Sequence, residues 1–265
     1  MVTAEVRIPS LFQRIFSVWY RHFRVYSSSF ISNAIPPMFE PLLFLAGIGL
    51  GLAKYLVPME GLPFLTYLGS GLLMTSAMMT SAFECTYGTF IRLEYDKTYD
   101  GMISSPVSYK NLVIGEIIWA GTKGAFFTFC VLLILFIFDV IHFSFGNLTP
   151  LLSIGVGFFT GVIFGGLSMS ITSMTGNINH FNFYFTGLLS PMFYFCGVFF
   201  PVSELPAFVQ PIAEAVPLTH CIRVARAFAA GSYPPGLWVD AVYIVASAVV
   251  FSWLAVALMK RRLID

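Results

Sequence analysis

Apolar runs of about 20 residues recur along this chain, and at 1.5 Å per helical residue each is long enough to cross the hydrocarbon core of a bilayer. In lipid no water satisfies exposed backbone N–H and C=O groups, so a spanning chain is limited to helices or a closed barrel. Composition agrees: 57% of the 265 residues are hydrophobic and 10% are charged, against about 25% charged in soluble domains. Runs of this length exclude a soluble domain and fit helices, not strands. The expected class is an all-α polytopic membrane protein, a single domain over residues 1–265 with no internal repeat and no low-complexity linker.

Six spans are expected, at 28–55, 63–90, 108–138, 149–173, 181–200 and 236–259. Residues 1–27 precede them with an amphipathic cytoplasmic helix. Ile8, Leu11, Phe12, Ile15, Phe16, Trp19 and Phe23 fall at i, i+3, i+4 spacing, with Arg7, Arg14, Arg21 and Arg24 opposite. Rings facing away from arginines suit a helix lying in the headgroup plane. No compact apolar run leads to a small-residue cleavage site, so a signal peptide is not expected. With the N-terminus inside, ten Lys and Arg lie on the inner side, and Lys54, Arg223 and Arg226 on the outer. The positive-inside rule then places both termini in the cytoplasm.

Residues 201–235, between the fifth and sixth spans, suit neither a solvated turn nor an unbroken helix. Pro201, Pro206, Pro211 and Pro217 interrupt helical hydrogen bonding, while Phe199, Phe200, Leu205, Phe208 and Val209 keep the segment apolar. Broken helices at membrane depth are tolerated only within protein or along a cavity. An external re-entrant helical hairpin is therefore expected, gating the exit of a path. Its candidate gate residues are Phe199, Phe200, Pro201, Glu204, Pro206, Pro217 and Arg226.

Charges inside spans are expensive and carry a functional hypothesis by default. Glu40, Glu84, Glu116 and Lys123 are four such charges, with Glu84 and Glu116 near cytoplasmic ends. Lys123 is expected to pair with Glu40 or Glu116, either as a structural ion pair or in gating or substrate contact. In the aromatic fifth span Tyr184, Leu188, Pro191 and Phe195 share one α-helical face, the candidate path lining; lipid contact or core packing is the alternative. On the inner loop Ile91 to Glu116, Arg92, Glu94, Asp96, Lys97 and Asp100 crowd a short helix that Gly101 is placed to end. That helix is either a solvated surface or the plug into a cytoplasmic partner. Cys85, Cys130, Cys196 and Cys221 lack metal-ligand spacing and are expected as buried thiols, with a Cys196–Cys221 disulfide the alternative. His22, His142, His180 and His220 stand isolated in sequence, and no catalytic constellation, cofactor site or metal site is expected.

The inner loop resembles the coupling loop of the ABC type-2 exporter permeases: a polar helix, then the turn Ser105–Pro106–Val107–Ser108, then Gly115 entering the third span. The stretch FNFYFTGLLSPMFYFCGVFFPVSELP to VPLTHCIRVAR, ending at Arg226, is similar to that family's fifth span, hairpin and PLT-H/Y element. Glu40 to Leu52 in the first span adds to the likeness, which is nearest to the nodulation lipo-oligosaccharide and O-antigen exporter branch. The resemblance implies a homodimer in the bacterial inner membrane, associated with two cytoplasmic ABC ATPase subunits that carry ATP and magnesium. This chain itself has no GxxxxGK[ST] loop; Gly121–Thr122–Lys123–Gly124 lacks the spacing. The implied cargo is amphipathic, a lipid-linked saccharide or, alternatively, small toxic compounds or drugs, with membrane lipid as surroundings and no nucleic acid. The different-class alternative is an ATPase-independent channel or a membrane enzyme.

Overall fold

The computed structural model describes residues 9–51, 55–142 and 148–264. The expected helix positions Arg7 and Ile8, Leu52 of the first span and the outer Lys54 lie outside the described residues. All regular elements among the described residues are helical. Among the described residues, four helices are long and apolar enough to cross a membrane: Phe30–Ile48, Tyr109–Ile137, Thr149–Met174 and Leu237–Ile264. The chain is a multi-pass membrane protein.

Helix α1 (Leu11–Ser28) starts at a capping box, with Ser10 and Gln13 each accepting the other's backbone N–H. Val18 and His22 turn inward, while Leu11, Phe12, Phe16 and Phe23 stay exposed, and the rings of Phe12, Phe16, Trp19 and Phe23 stack in a stripe. Helix α2 (Phe30–Gly51) carries Pro36, Pro37 and Pro41 in its interior. Helix α3 (Phe64–Phe83) is the most deeply buried element, which explains how it accommodates Ser70, Thr75, Ser76, Thr80 and Ser81. It runs on through π turns at Glu84–Gly88 and Ile91–Tyr95 into the short helix α4 (Thr98–Ile103).

Helices α5 (Tyr109–Ile137) and α6 (Leu152–Met174) meet along a glycine seam. Gly121 and Gly124 of α5 face Gly161 and Gly157 of α6, and Gly165, four residues further on, meets Ala120 of α5. Lipid offers no hydrophobic drive for helix association, so small residues that let backbones touch supply the packing instead. The long helix α11 (Leu237–Ile264) crosses α6 just as closely, its Phe251 backbone lying 2.8 Å from where a Cβ on Gly166 would stand.

After α6 come α7 (Phe181–Tyr184), a π turn at Phe185–Leu189 and α8 (Ser190–Phe195). The proline-rich segment then folds into short helical pieces. Pro201 immediately precedes a 3₁₀ turn at Val202–Glu204, Pro211 sits in the first turn of α9 (Gln210–Glu214), and Pro217 opens α10 (Pro217–Ala230). Each proline occupies a helix start, where its missing N–H costs nothing.

Candidate functional site

The C-terminal parts of α1 and α3 and the N-terminal half of α5 enclose a buried ionic cluster. Glu116, fully buried on α5, accepts hydrogen bonds from Arg92 (2.8 Å) and Tyr99 (2.6 Å), and its Oε1 lies 2.8 Å from His22 Nε2. Glu84 accepts from Arg92 and from Lys123, each at 2.8 Å. The Lys123 ammonium also lies over the Tyr26 ring, 5.0 Å from its centroid. Two carboxylates therefore meet two cations, and the α3 extension, α4 and α1 are all bound to α5 through them.

Lys123 thus pairs with Glu84, not with Glu40 or Glu116 as the sequence suggested. Seven residues place Glu116 and Lys123 on one helix face, but ~10 Å apart along its axis, too far to touch. A carboxylate on the neighbouring helix reaches Lys123 instead. A double-mutant cycle tests this: Lys123→Met and Glu84→Gln should show a coupling of about 0.5–3 kcal/mol in folded-protein stability, whereas Lys123→Met and Glu40→Gln should add within about 0.5 kcal/mol.

The ligand atoms of His22, Glu84 and Glu116 lie within 4.8 Å of one another, a spacing that a metal ion uses. The donor set is nonetheless a poor metal site, because Arg92 and Lys123 already balance both carboxylates and a dication would have to displace them.

The five loop residues expected to face an ATPase divide. Arg92 points into the ionic cluster, since two buried carboxylates need its charge. Asp96, Lys97 and Asp100 are exposed on the loop surface. The break between helical pieces comes at Lys97 (φ 50°), and Gly101 lies inside α4 instead of ending it. Glu94 is held by Arg262 at 2.8 Å and by Lys97 at 3.7 Å.

Arg262 escaped the sequence reading except as an inner charge. At the end of α11 it donates to the Thr172 and Thr175 carbonyls that close α6, and its guanidinium lies over the Phe90 ring. A cation at a helix C-terminus offsets the partial charge of the free carbonyls. Arg262→Ala should therefore cost about 1–2 kcal/mol in thermal or denaturant stability, with Lys restoring part of it. The Arg262 hydrogen bond holds the Glu94 carboxyl below the usual range. Its stabilisation is complete above the ordinary glutamate value and is lost as pH falls through the lowered one. A pH titration of melting temperature should show that acid-side loss in the native chain and not in Glu94→Gln.

On the opposite side of the fold, Arg226 is buried with its guanidinium 3.5 Å from the Tyr67 ring centroid, and it donates to Ser70 Oγ (3.1 Å) and the Gly197 carbonyl (2.7 Å). Arg226 also pairs with Glu60 at 3.5 Å. Arg223 bonds Asp240 at 2.8 Å and Glu214 at 2.6 Å, and His220 Nδ1 lies 2.6 Å from the same Asp240 carboxylate. The histidines His22 and His220, isolated in sequence, thus sit in polar clusters closed by long-range contacts. Of the expected gate residues, Glu204 and Pro206 are exposed, Phe199, Phe200, Pro201 and Pro217 half-buried, and Arg226 internal. All four cysteines are free and buried.

The expected path face of the fifth span is split. Tyr184 is buried and its hydroxyl lies 2.8 Å from Ser168 Oγ, whereas Leu188, Pro191 and Phe195 are exposed. The π turn Phe185–Leu189 adds a residue to one turn, so the face of Tyr184 continues through Leu189 and Phe193, both buried.

The match to known proteins covers this same architecture from α1 to α10: residues 10–229 match the family described as ABC-2 type transporter. The chain belongs to that family. It is 30% identical to Nodulation protein J of Rhizobium meliloti (strain 1021), over 93% of each chain, and 28% identical to Nodulation protein J of Sinorhizobium fredii (strain NBRC 101917 / NGR234), over 94% of each. The Inner membrane transport permease YadH of Escherichia coli (strain K12) is 23% identical over 79% of this chain and 80% of its own length. This ABC-2 type transporter chain is accordingly a membrane subunit of an ABC exporter. Its ionic cluster ties the Ile91–Glu116 loop to the transmembrane helices.

Proposed function

We propose that two copies of this chain form a path across the bacterial inner membrane and export an amphipathic molecule, a lipid-linked saccharide or similar glycolipid. Two separate ABC ATPase subunits supply the work, with ATP and magnesium bound on them. The single observation that carries this reading is the buried ionic cluster. A loop that merely faced water would not need Arg92 and Tyr99 anchored on a fully buried glutamate of a spanning helix. Such an anchor makes the loop and α5 move as one body.

In this reading Asp96, Lys97 and Asp100 meet the ATPase, the termini lie in the cytoplasm, and α1 rests its exposed aromatic stripe in the inner headgroup plane. The proline-broken pieces from Pro201 to Pro217 re-enter from the outer face and close the exit. The six-span count follows if α3 and the segment Phe181–Phe195 also cross, both packing beside helices that do. Copurification with the cognate ATPase, followed by reconstitution in liposomes, tests the proposal. ATPase activity stimulated by a glycolipid, and lost on charge reversal at Asp96 and Asp100, supports it. Transport by this chain alone without ATP overturns it, and stimulation by small apolar toxins in place of glycolipids overturns the cargo assignment.

A further inference from the structure

Between α2 and α3 lies a cavity of about 190 Å³, closed at one side by Phe193. It is smaller than the roughly 300–1,000 Å³ of sites that hold a whole drug-sized ligand, so it suits a head group and not an entire amphiphile. One of its polar groups is unexplained by the fold, and a second is unpaired at its edge. Ser76 is 8% exposed and its hydroxyl, buried in the wall, has no hydrogen-bond partner. A buried unsatisfied hydroxyl is disfavoured and calls for an explanation. Glu40, exposed on α2 at the cavity's edge, forms neither ion pair nor hydrogen bond among the described residues, so its carboxylate is free to accept from a ligand, whereas Lys123 lines the same cavity and spends its charge on Glu84.

The backbone adds an acceptor. Pro41 has no N–H to give the carbonyl of Pro37 four residues back, and both residues line the cavity. Thr80 extends the hydroxyl row one turn along α3 from Ser76, while Phe83 and Phe193 supply aromatic walls. Acceptors, hydroxyls able to donate and accept, and ring faces in one small space match a group with many hydroxyls and an apolar C–H face.

We infer that this cavity is a binding site for one sugar residue of an amphipathic molecule, with Glu40 and the Pro37 carbonyl accepting its hydroxyl protons, Ser76 completing the set, and the aromatic walls covering its C–H face. The inference rests on the export reading for its meaning, but not for its test.

The full chain in lipid nanodiscs, without ATPase or ATP, is titrated with tritiated octyl β-glucoside below its micelle concentration. Saturable binding displaced by excess unlabelled octyl glucoside is expected. Loss of one hydrogen bond in Ser76→Ala or Thr80→Ala should weaken it about fivefold, and loss of a charged acceptor in Glu40→Gln should weaken it about tenfold or more. Ser76→Leu, which fills the cavity, should abolish it. Four results overturn the site: no saturable component, binding unchanged in every variant, displacement by octanol as effective as by the glucoside, or octylammonium displacing better than the glucoside, which would mark a cation site. If Ser76→Leu fails to fold, the two alanine variants and Glu40→Gln still decide the matter. Saturable, Glu40-dependent binding with no ATPase response in the complex sinks export and leaves the site. A stimulated ATPase with unchanged binding in every variant sinks the site and leaves export.

Discussion

Gly161→Val is expected to remove most folded protein from the membrane. A Cβ on Gly161 would stand 2.6 Å from the Ala120 carbonyl and 2.8 Å from the Gly121 Cα, both backbone of α5. Backbone atoms cannot rotate away as a side-chain terminus does, so α5 and α6 must separate along their seam. Overpacking of this kind costs about 1–3 kcal/mol and occasionally more. The higher end applies here, because the seam also loses the close packing that replaces hydrophobic drive in lipid. Gly155→Val is the control: it lies on the same helix with nothing within 4 Å of a Cβ, and should fold like the parent. Detergent-extracted yield by fluorescence size-exclusion chromatography and the melting midpoint check both. Equal losses in the two variants would show that α6 is intolerant to valine as such, and that the seam is not the cause.

The seam also shows how far sequence reached. Periodic apolar runs located the long helices, because a bilayer leaves the chain no other way to satisfy its backbone. The prolines from Pro201 to Pro217 marked the broken segment correctly, since φ restriction and a missing N–H act on the nearest neighbours alone. Side-chain partners were harder. Glu84 finds Lys123 39 residues away, and Arg262 finds Glu94 168 residues away; no local spacing encodes either contact. The π turn at Phe185–Leu189 was equally hidden, because nothing in FTGLL announces a five-residue hydrogen-bond step, and that one extra residue moved the face of Tyr184 onto Leu189 and Phe193. What was legible was wherever a residue constrains its own backbone; what was not depended on which helices pack side by side.

The ionic cluster separates folding from coupling, and Glu116 is the residue through which that separation is measured. Glu116→Gln keeps an acceptor for Tyr99 but deletes the charge, leaving Arg92 and Lys123 to share Glu84 alone. An unbalanced buried cation of this kind should cost about 3–5 kcal/mol in stability. The double variant Arg92→Met/Glu116→Gln removes one charge of each sign and leaves the 2.8 Å Lys123–Glu84 pair intact. Replacing a buried pair by neutral groups is often close to neutral for stability, so this protein should fold nearly as well as the parent. Its Ile91–Glu116 loop, however, would have lost the Arg92 strut onto α5 and kept only the Tyr99 contact. Reconstituted with its ATPase, the double variant is therefore expected to bind the partner and hydrolyse ATP at the basal rate, while substrate stimulation of that rate falls about tenfold or more if the lost strut is worth about 1.4 kcal/mol of coupling. A double variant that is as unstable as Glu116→Gln would show that the cluster serves folding alone. One that is stable and still fully stimulated would place the coupling route elsewhere, with the Arg262–Glu94 contact between α11 and the loop next to be tested.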